Sequence, residues 1–179
     1  MAINQFNLAN GQRAARKQLI TVAEWTEGTT VMREILGTRT PDSSIEYNPD
    51  TETSTDVRGI TYTDVNKTEP QQDFDPYLVL GGSTLGAKLN DIRKRNALTE
   101  LNQFTVYVIT GYIGNSTSGY EAEKHENCTI LYTALGGDAN VNMPIEVHLS
   151  NYANGKSEPQ IGTVDKLAED FVFTPDASL

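Results

Sequence analysis

Apolar and polar positions alternate along most of this chain with a period near two, the repeat of a half-buried strand, and only once with the 3.6-residue repeat of a helix. In residues 18–26, Leu19, Thr21, Ala23 and Trp25 fall on one face and Ile20 and Val22 on the other. Glu27-Gly28 then offers a turn into residues 29–36, so a first hairpin is predicted. The helical stretch covers residues 84–97, where Leu85, Leu89 and Ile92 recur at i, i+4 and i+7 behind Ser83 or Thr84 as an N-cap. Three apolar positions suffice to pack it on one sheet face, and it is too polar elsewhere to be internal.

Downstream the pattern is β throughout. In residues 103–113, Phe104, Val106 and Val108 alternate with Tyr107, Ile109 and Ile113, so both faces are apolar and the strand is expected to be central. In residues 120–132, Tyr120, Ala122, Cys128, Ile130 and Tyr132 are expected on one face and Glu121, Glu123, His125 and Asn127 on the other. The cleanest alternation is at residues 143–149, with Met143, Ile145, Val147 and Leu149 inward and Glu146 and His148 outward. Residues 160–164 and 170–173 add two last strands, with Lys166-Leu167-Ala168 a competing helical turn. About seven strands and one helix imply a mainly β domain, a β-sandwich or open barrel with one flanking helix, made from the whole chain.

Residues 44–76 do not fit that body. They are polar and poor in aromatics, yet extended backbone would set Glu46, Asp50, Glu52 and Asp56 on one side and Tyr47, Thr51, Thr53, Thr55 and Val57 on the other. Asn48-Pro49-Asp50 supplies turn chemistry near one end. The expectation is a long, poorly buried hairpin projecting from the body. Ordering each residue costs about 1–2 kcal/mol, and so little apolar surface does not offset it, so another copy of the chain is the expected source of order. Residues 1–17 read as a polar N-terminal arm ending in a basic cluster, Arg13, Arg16 and Lys17, mobile unless a partner holds it.

Composition narrows the function classes. A formal charge of −10 and a pI near 4.6 argue against tight binding to nucleic-acid phosphates. The charge is uneven: residues 1–95 carry 11 Lys/Arg against 13 Asp/Glu, net −2, and residues 96–179 carry 3 against 11, net −8. No apolar run approaches the roughly 18 residues that cross a bilayer, and the start has no signal-peptide core, so a soluble protein without a membrane partner is expected. The single Cys128 excludes an intramolecular disulfide and suits a reducing cytosol.

Candidate chemistry is sparse. Asn48, Asp50 and Glu52 have the spacing that opens a calcium loop, but Thr53 stands where Gly is needed and Gly59 where Glu is needed. His125 and His148, on two outward strand faces, lack a third ligand for zinc. In Gly82-Ser83-Thr84-Leu85-Gly86 the second glycine comes one residue too late for a nucleophile elbow. Cys128 has no electropositive setting, and Arg93, Lys94 and Arg95 spread over different helix faces. No catalytic residue, cofactor or metal is expected.

With the acidic hairpin, the sequence DVNKTEPQQDFDPY that follows it, the Gly-Gly-Ser before one helix and the strand-rich remainder, the chain resembles the major tail tube proteins of long-tailed phages of Gram-positive hosts. The resemblance covers about residues 19–173 and is strongest over 44–113. It implies hexameric rings stacked head to tail into a hollow tube for genome passage, assembled in the host cytoplasm and carried in the virion tail. The partners would be further copies of the chain and other tail proteins, such as the tape measure and the tail terminator, with DNA passing but not held. In that scheme the long loop reaches the adjacent ring, so Glu46, Tyr47, Asp50, Glu52 and Asp56 would meet Arg13, Arg16 and Lys17 of a neighbour. Glu121, Glu123 and Glu146 would line a lumen that repels phosphate. The alternatives are a β-sandwich module that binds carbohydrate or protein, and another virion component such as a head decoration or tail-completion protein.

Overall fold

The alternating stretches fold as strands, and the computed structural model describes residues 6–176. The first five residues of the expected N-terminal arm lie outside the described residues. β1 (Leu19–Glu27) and β2 (Thr30–Ile35) form the first hairpin; β3 (Ile45–Glu46), β4 (Asp50–Thr55), β5 (Thr61–Lys67) and β6 (Gln71–Phe74) follow. Helix α1 (Thr84–Arg95) leads to the long strands β7 (Phe104–Asn115) and β8 (Gly119–Tyr132), then β9 (Ile145–His148), β10 (Gln160–Val164) and β11 (Phe173–Pro175). Nine strands join in one antiparallel sheet, ordered β2-β1-β7-β8-β9-β6-β3, with β10 between β8 and β11; β4 and β5 pair apart from it. No helix among the described residues is long and apolar enough to cross a membrane.

β8 turns this sheet into a sandwich. Its first part, from Tyr120 to Lys124, lies between β7 and β10, whereas the part from Thr129 to Tyr132 lies beside β9. Between the two, the step from Phe104 to Val106 in β7 is matched by the longer step from His125 to Cys128 in β8. The extra residue is a bulge, and Asn127 adopts φ 56°, which Asn tolerates better than most residues. One added residue exchanges the faces of everything beyond it. The expected single face of β8 is therefore corrected: Tyr120 and Ala122 pack in one cluster, Cys128, Ile130 and Tyr132 in another, and His125 is buried rather than outward.

The inner cluster fills the fold between the two halves of the sheet. Trp25 meets Phe104 edge-on at 6.2 Å, and Phe74, Ile130, Ile145 and Val147 are all but inaccessible. The free side is covered by α1, whose Leu85, Leu89 and Ile92 are fully buried, in agreement with the three-residue stripe. Across the closure, Thr21 Oγ1 donates to Gln72 Oε1 at 2.7 Å and Gln72 Nε2 donates to Ser43 Oγ at 3.0 Å, so the buried glutamine is satisfied on both ends. On the outer face, Val22, Tyr107, Ile109 and Ala122 form a second cluster under Val164 and Phe171. Phe171 stacks edge-on against Tyr107 at 5.0 Å and lies under the Arg33 guanidinium at 4.3 Å. Because Phe171 serves as this plug, the last strand starts at Phe173 and not at residue 170, and residues 166–168 form no helical turn.

The burial contrast between body and hairpin sets two stability effects apart. Leu89→Ala empties a fully buried site and should cost about 2–5 kcal/mol, while Thr53→Ala on the exposed β4 should stay within about 0.5 kcal/mol; urea unfolding of both variants checks the ranking.

Candidate functional site

Because β3 and β6 join the main sheet, where Gln72 and Phe74 are buried, β4 and β5 form a shorter ribbon than the hairpin expected over residues 44–76. Every residue of both strands is exposed, and neither pairs with any other strand. The reversal is at residues 56–60, and Asn48-Pro49-Asp50, the turn chemistry expected near one end, lies at the base where β3 passes into β4. Asp56 makes the turn: its Oδ1 accepts the backbone N–H of Arg58 at 2.8 Å and of Ile60 at 3.0 Å, and Gly59 takes φ 77°. Those donors, Ile60 first, hold the Asp56 carboxyl below its usual range. The register puts Thr51, Thr53, Thr55, Thr61, Thr63 and Val65 on one face, and Glu52, Ser54, Tyr62 and Asp64 on the other. Glu52 stands directly opposite Asp64, a like-charge pair that weakens an isolated ribbon. Val57 at the tip is fully exposed at 105%, and Ile60, Tyr62 and Val65 are exposed near it.

The remaining anticipated contact residues divide into engaged and open ones. Glu46 pairs in register with Gln71 and, with Asp42, Asp73 and Asp75, borders a hollow of about 220 Å³. Arg16 is spent on its own chain: Nη2 and Nε donate to Ser43 O at 2.6 and 3.1 Å, and Nη1 donates to Leu19 O at 2.6 Å. Among the described residues, Arg13 and Lys17 are exposed and make no ion pair. The arm itself touches β7, with Phe6 tilted on Tyr112 at 5.8 Å and Asn7 N–H donating to Tyr112 O at 2.8 Å. Tyr47 is exposed by 57%; partial desolvation, then the charges of Glu123 and Tyr112, push its phenol upward.

The three glutamates considered for a channel wall do not share a face. Glu121 lies opposite Thr110, whose Oγ1 donates to its carboxylate at 3.3 Å, and Glu123 lies opposite Val108, on the side of the inner cluster. Glu146 alternates with the inward Ile145 and Val147 and so stands on the other side of the sheet. Glu123 Oε2 is 3.5 Å from Nε2 of the buried His125, whose Nδ1–H donates to Ser150 O at 2.8 Å. Glu146 Oε2 is 3.4 Å from His148 Nε2.

One constellation escaped the sequence reading. Glu34 of β2 reaches the start of α1, where its carboxylate accepts Thr84 N–H at 2.7 Å, Leu85 N–H at 2.9 Å, Ser83 Oγ–H at 2.9 Å and Tyr77 O–H at 2.7 Å. A carboxylate, a phenol and a serine hydroxyl in contact look like acid–base machinery. Half burial pulls the Glu34 carboxyl up, but the donors from Tyr77, Leu85, Ser83 and Thr84 outweigh it and keep the carboxyl below its ordinary range. Burial and Glu34 push the Tyr77 phenol up, and Ser83 Oγ also accepts Gly86 N–H at 3.0 Å. The arrangement is a helix cap supplied from a distant strand, and the signal for it, Ser83 before the apolar stripe, told only of the local half. Cys128 is fully buried, and burial raises its thiol. Among the described residues, no three His, Cys, Asp or Glu side chains converge as metal ligands. No family model, curated protein or solved structure matches the chain.

Because the folded carboxyl of Glu34 is depressed, its contribution is present above the unfolded carboxyl range, near 4.5, and is lost as pH falls through the lower folded value. Glu34→Gln should therefore lower the melting temperature at neutral pH and flatten its fall below about pH 4.5; thermal unfolding of both proteins between pH 2.5 and 7 measures the difference.

Proposed function

We propose that the chain is a structural subunit that polymerises with further copies of itself, as stacked rings, into a phage tail tube. The observation that carries this reading is the β4–β5 hairpin, a ribbon with no buried residue. A two-stranded ribbon is marginal in water at best, so its length and apolar tip make sense when a second molecule covers it. The sandwich body and its flanking helix supply the rigid block from which such an arm projects.

Charge supports the same reading. The acidic Glu46, Asp50 and Glu52, with Tyr47 beside them, would approach Arg13 and Lys17 of the next copy, the arm cations that have no carboxylate at home; Arg16 holds the local backbone in shape. Asp56 acts within the hairpin as the turn former. A channel for DNA should repel phosphate, since each neutralised phosphate adds binding through counterion release. Glu121 and Glu123 together, or Glu146 from the opposite face, would give a ring such a wall. On this reading the protein is assembled in the host cytoplasm and resides in the virion tail, works without a cofactor and is not an enzyme, and its other partners are neighbouring tail proteins. The exposed Tyr47 and Tyr62 favour one rival, a module that grips carbohydrate or protein with its hairpin.

Electron microscopy with light scattering on concentrated protein tests the proposal. Rings or tubes with a central hole are expected, and reversing Glu46, Asp50 and Glu52 to Lys should raise the concentration needed for assembly at least tenfold while leaving the circular dichroism spectrum unchanged. A monodisperse monomer at every concentration, with a hairpin that binds sugar or peptide, would favour the rival.

A further inference from the structure

Beside α1 lies an open hollow of about 450 Å³ that the fold itself leaves unfilled. Its floor is the buried Met143, and its walls are Val79, Leu135 and Val141, apolar side chains left 47–54% exposed. The walls are tied together by backbone: Val79 N–H donates to Val141 O at 3.0 Å, and Met143 N–H donates to Tyr77 O at 2.9 Å. The hollow is thus preformed. The charges around the 135–142 wall are negative: Asp138 is exposed in the loop between Leu135 and Val141, and Asp75 is joined to Asn142 by a 2.9 Å hydrogen bond.

The hairpin tip is the complement of this surface. Val57 and Ile60 are exposed apolar residues on either side of Arg58 and Gly59, and Arg58, with its side chain 72% exposed, is the one cation of the turn. Its contact with Asp56 Oδ2 is loose, at 3.6 Å, while Oδ1 of that carboxylate accepts the turn N–H groups. Val57 at full exposure is not seated on its own chain. We infer that the hollow beside α1 receives the β4–β5 tip of a second copy, with Val57 and Ile60 against Val79, Leu135 and Val141, and Arg58 facing Asp138 and Asp75. This rests on the assembly reading above and assigns its receptor. Tip and hollow are different surfaces carried by every copy, so the contact is heterologous and continues from copy to copy.

Two differently tagged full-length chains, one with Val57→Cys and one with Val141→Cys, test the contact; both positions are exposed, and the native Cys128 is buried. Mixed at a concentration at which the wild type forms particles and then oxidised, they should give a disulfide-linked heterodimer that neither chain gives alone. Arg58→Asp should weaken assembly about tenfold, and Asp138→Arg in the same chain should restore most of it. Particles that form without the 57–141 link, or that link Val57→Cys to Lys17→Cys instead, overturn the hollow as receptor and leave the assembly reading standing. A chain that stays monomeric by light scattering under all conditions overturns both.

Discussion

A nine-stranded sheet encloses a core only if it folds over on itself, and a single extra residue in β8 does the folding here. The bulge around Asn127 lets one strand pair with β7 and β10 along its first half and with β9 along its second. Everything inward follows from it. His125 and Cys128 both turn towards the inner cluster although they are three positions apart, the halves of the sheet face each other across Trp25, Phe104 and Phe74, and the Thr21–Gln72 hydrogen bond closes the far side. Helix α1 then caps the remaining opening, and Glu34 ties its N-terminus to β2, which compensates five helix-end and side-chain donors at one carboxylate.

Against that self-sufficient body the hairpin is an anomaly with a physical explanation. Its ladder keeps register from Thr51 to Thr55, with one irregularity at its base between Asp50 and Thr51, and its turn is well made, with the Asp56 carboxylate and Gly59 in the positions that a tight reversal requires. It has no apolar face to bury, and the opposed Glu52 and Asp64 work against it. On the proposed reading, this uncovered ribbon and the uncovered hollow beside α1 meet between copies of the chain. The proposed tube rests on that reasoning, and the acidity of the subunit suits a conduit that DNA must leave freely.

Much of the body was legible because its periods are uninterrupted. Met143, Ile145, Val147 and Leu149 are buried as their alternation implied, Leu85, Leu89 and Ile92 face the core, and the turn at Glu27-Gly28 joins the first two strands. The β-sandwich with one helix follows from these elements. β8 was misread beyond residue 125 because a one-residue bulge leaves almost no trace in composition, yet inverts every later side chain. Asn48-Pro49-Asp50 was legible as turn chemistry near one end and lies at the hairpin base, while the position of the reversal, set by an Asp three residues before a Gly, depends on side-chain hydrogen bonding that spacing alone hardly reveals. Glu34 was invisible for a different reason: its partners lie some 50 residues along the chain, and only the fold brings them together.

The central claim is that the hairpin gains its order from another copy, and amide hydrogen exchange across β4 and β5 tests it most directly. In dilute, monomeric protein the amides from Asp50 to Lys67 should exchange near the rates of an open chain, while those of β7 and β8 stay protected. In sedimented particles the hairpin amides should slow by at least tenfold, with the body unchanged. Equal protection of the hairpin in both states would contradict the account.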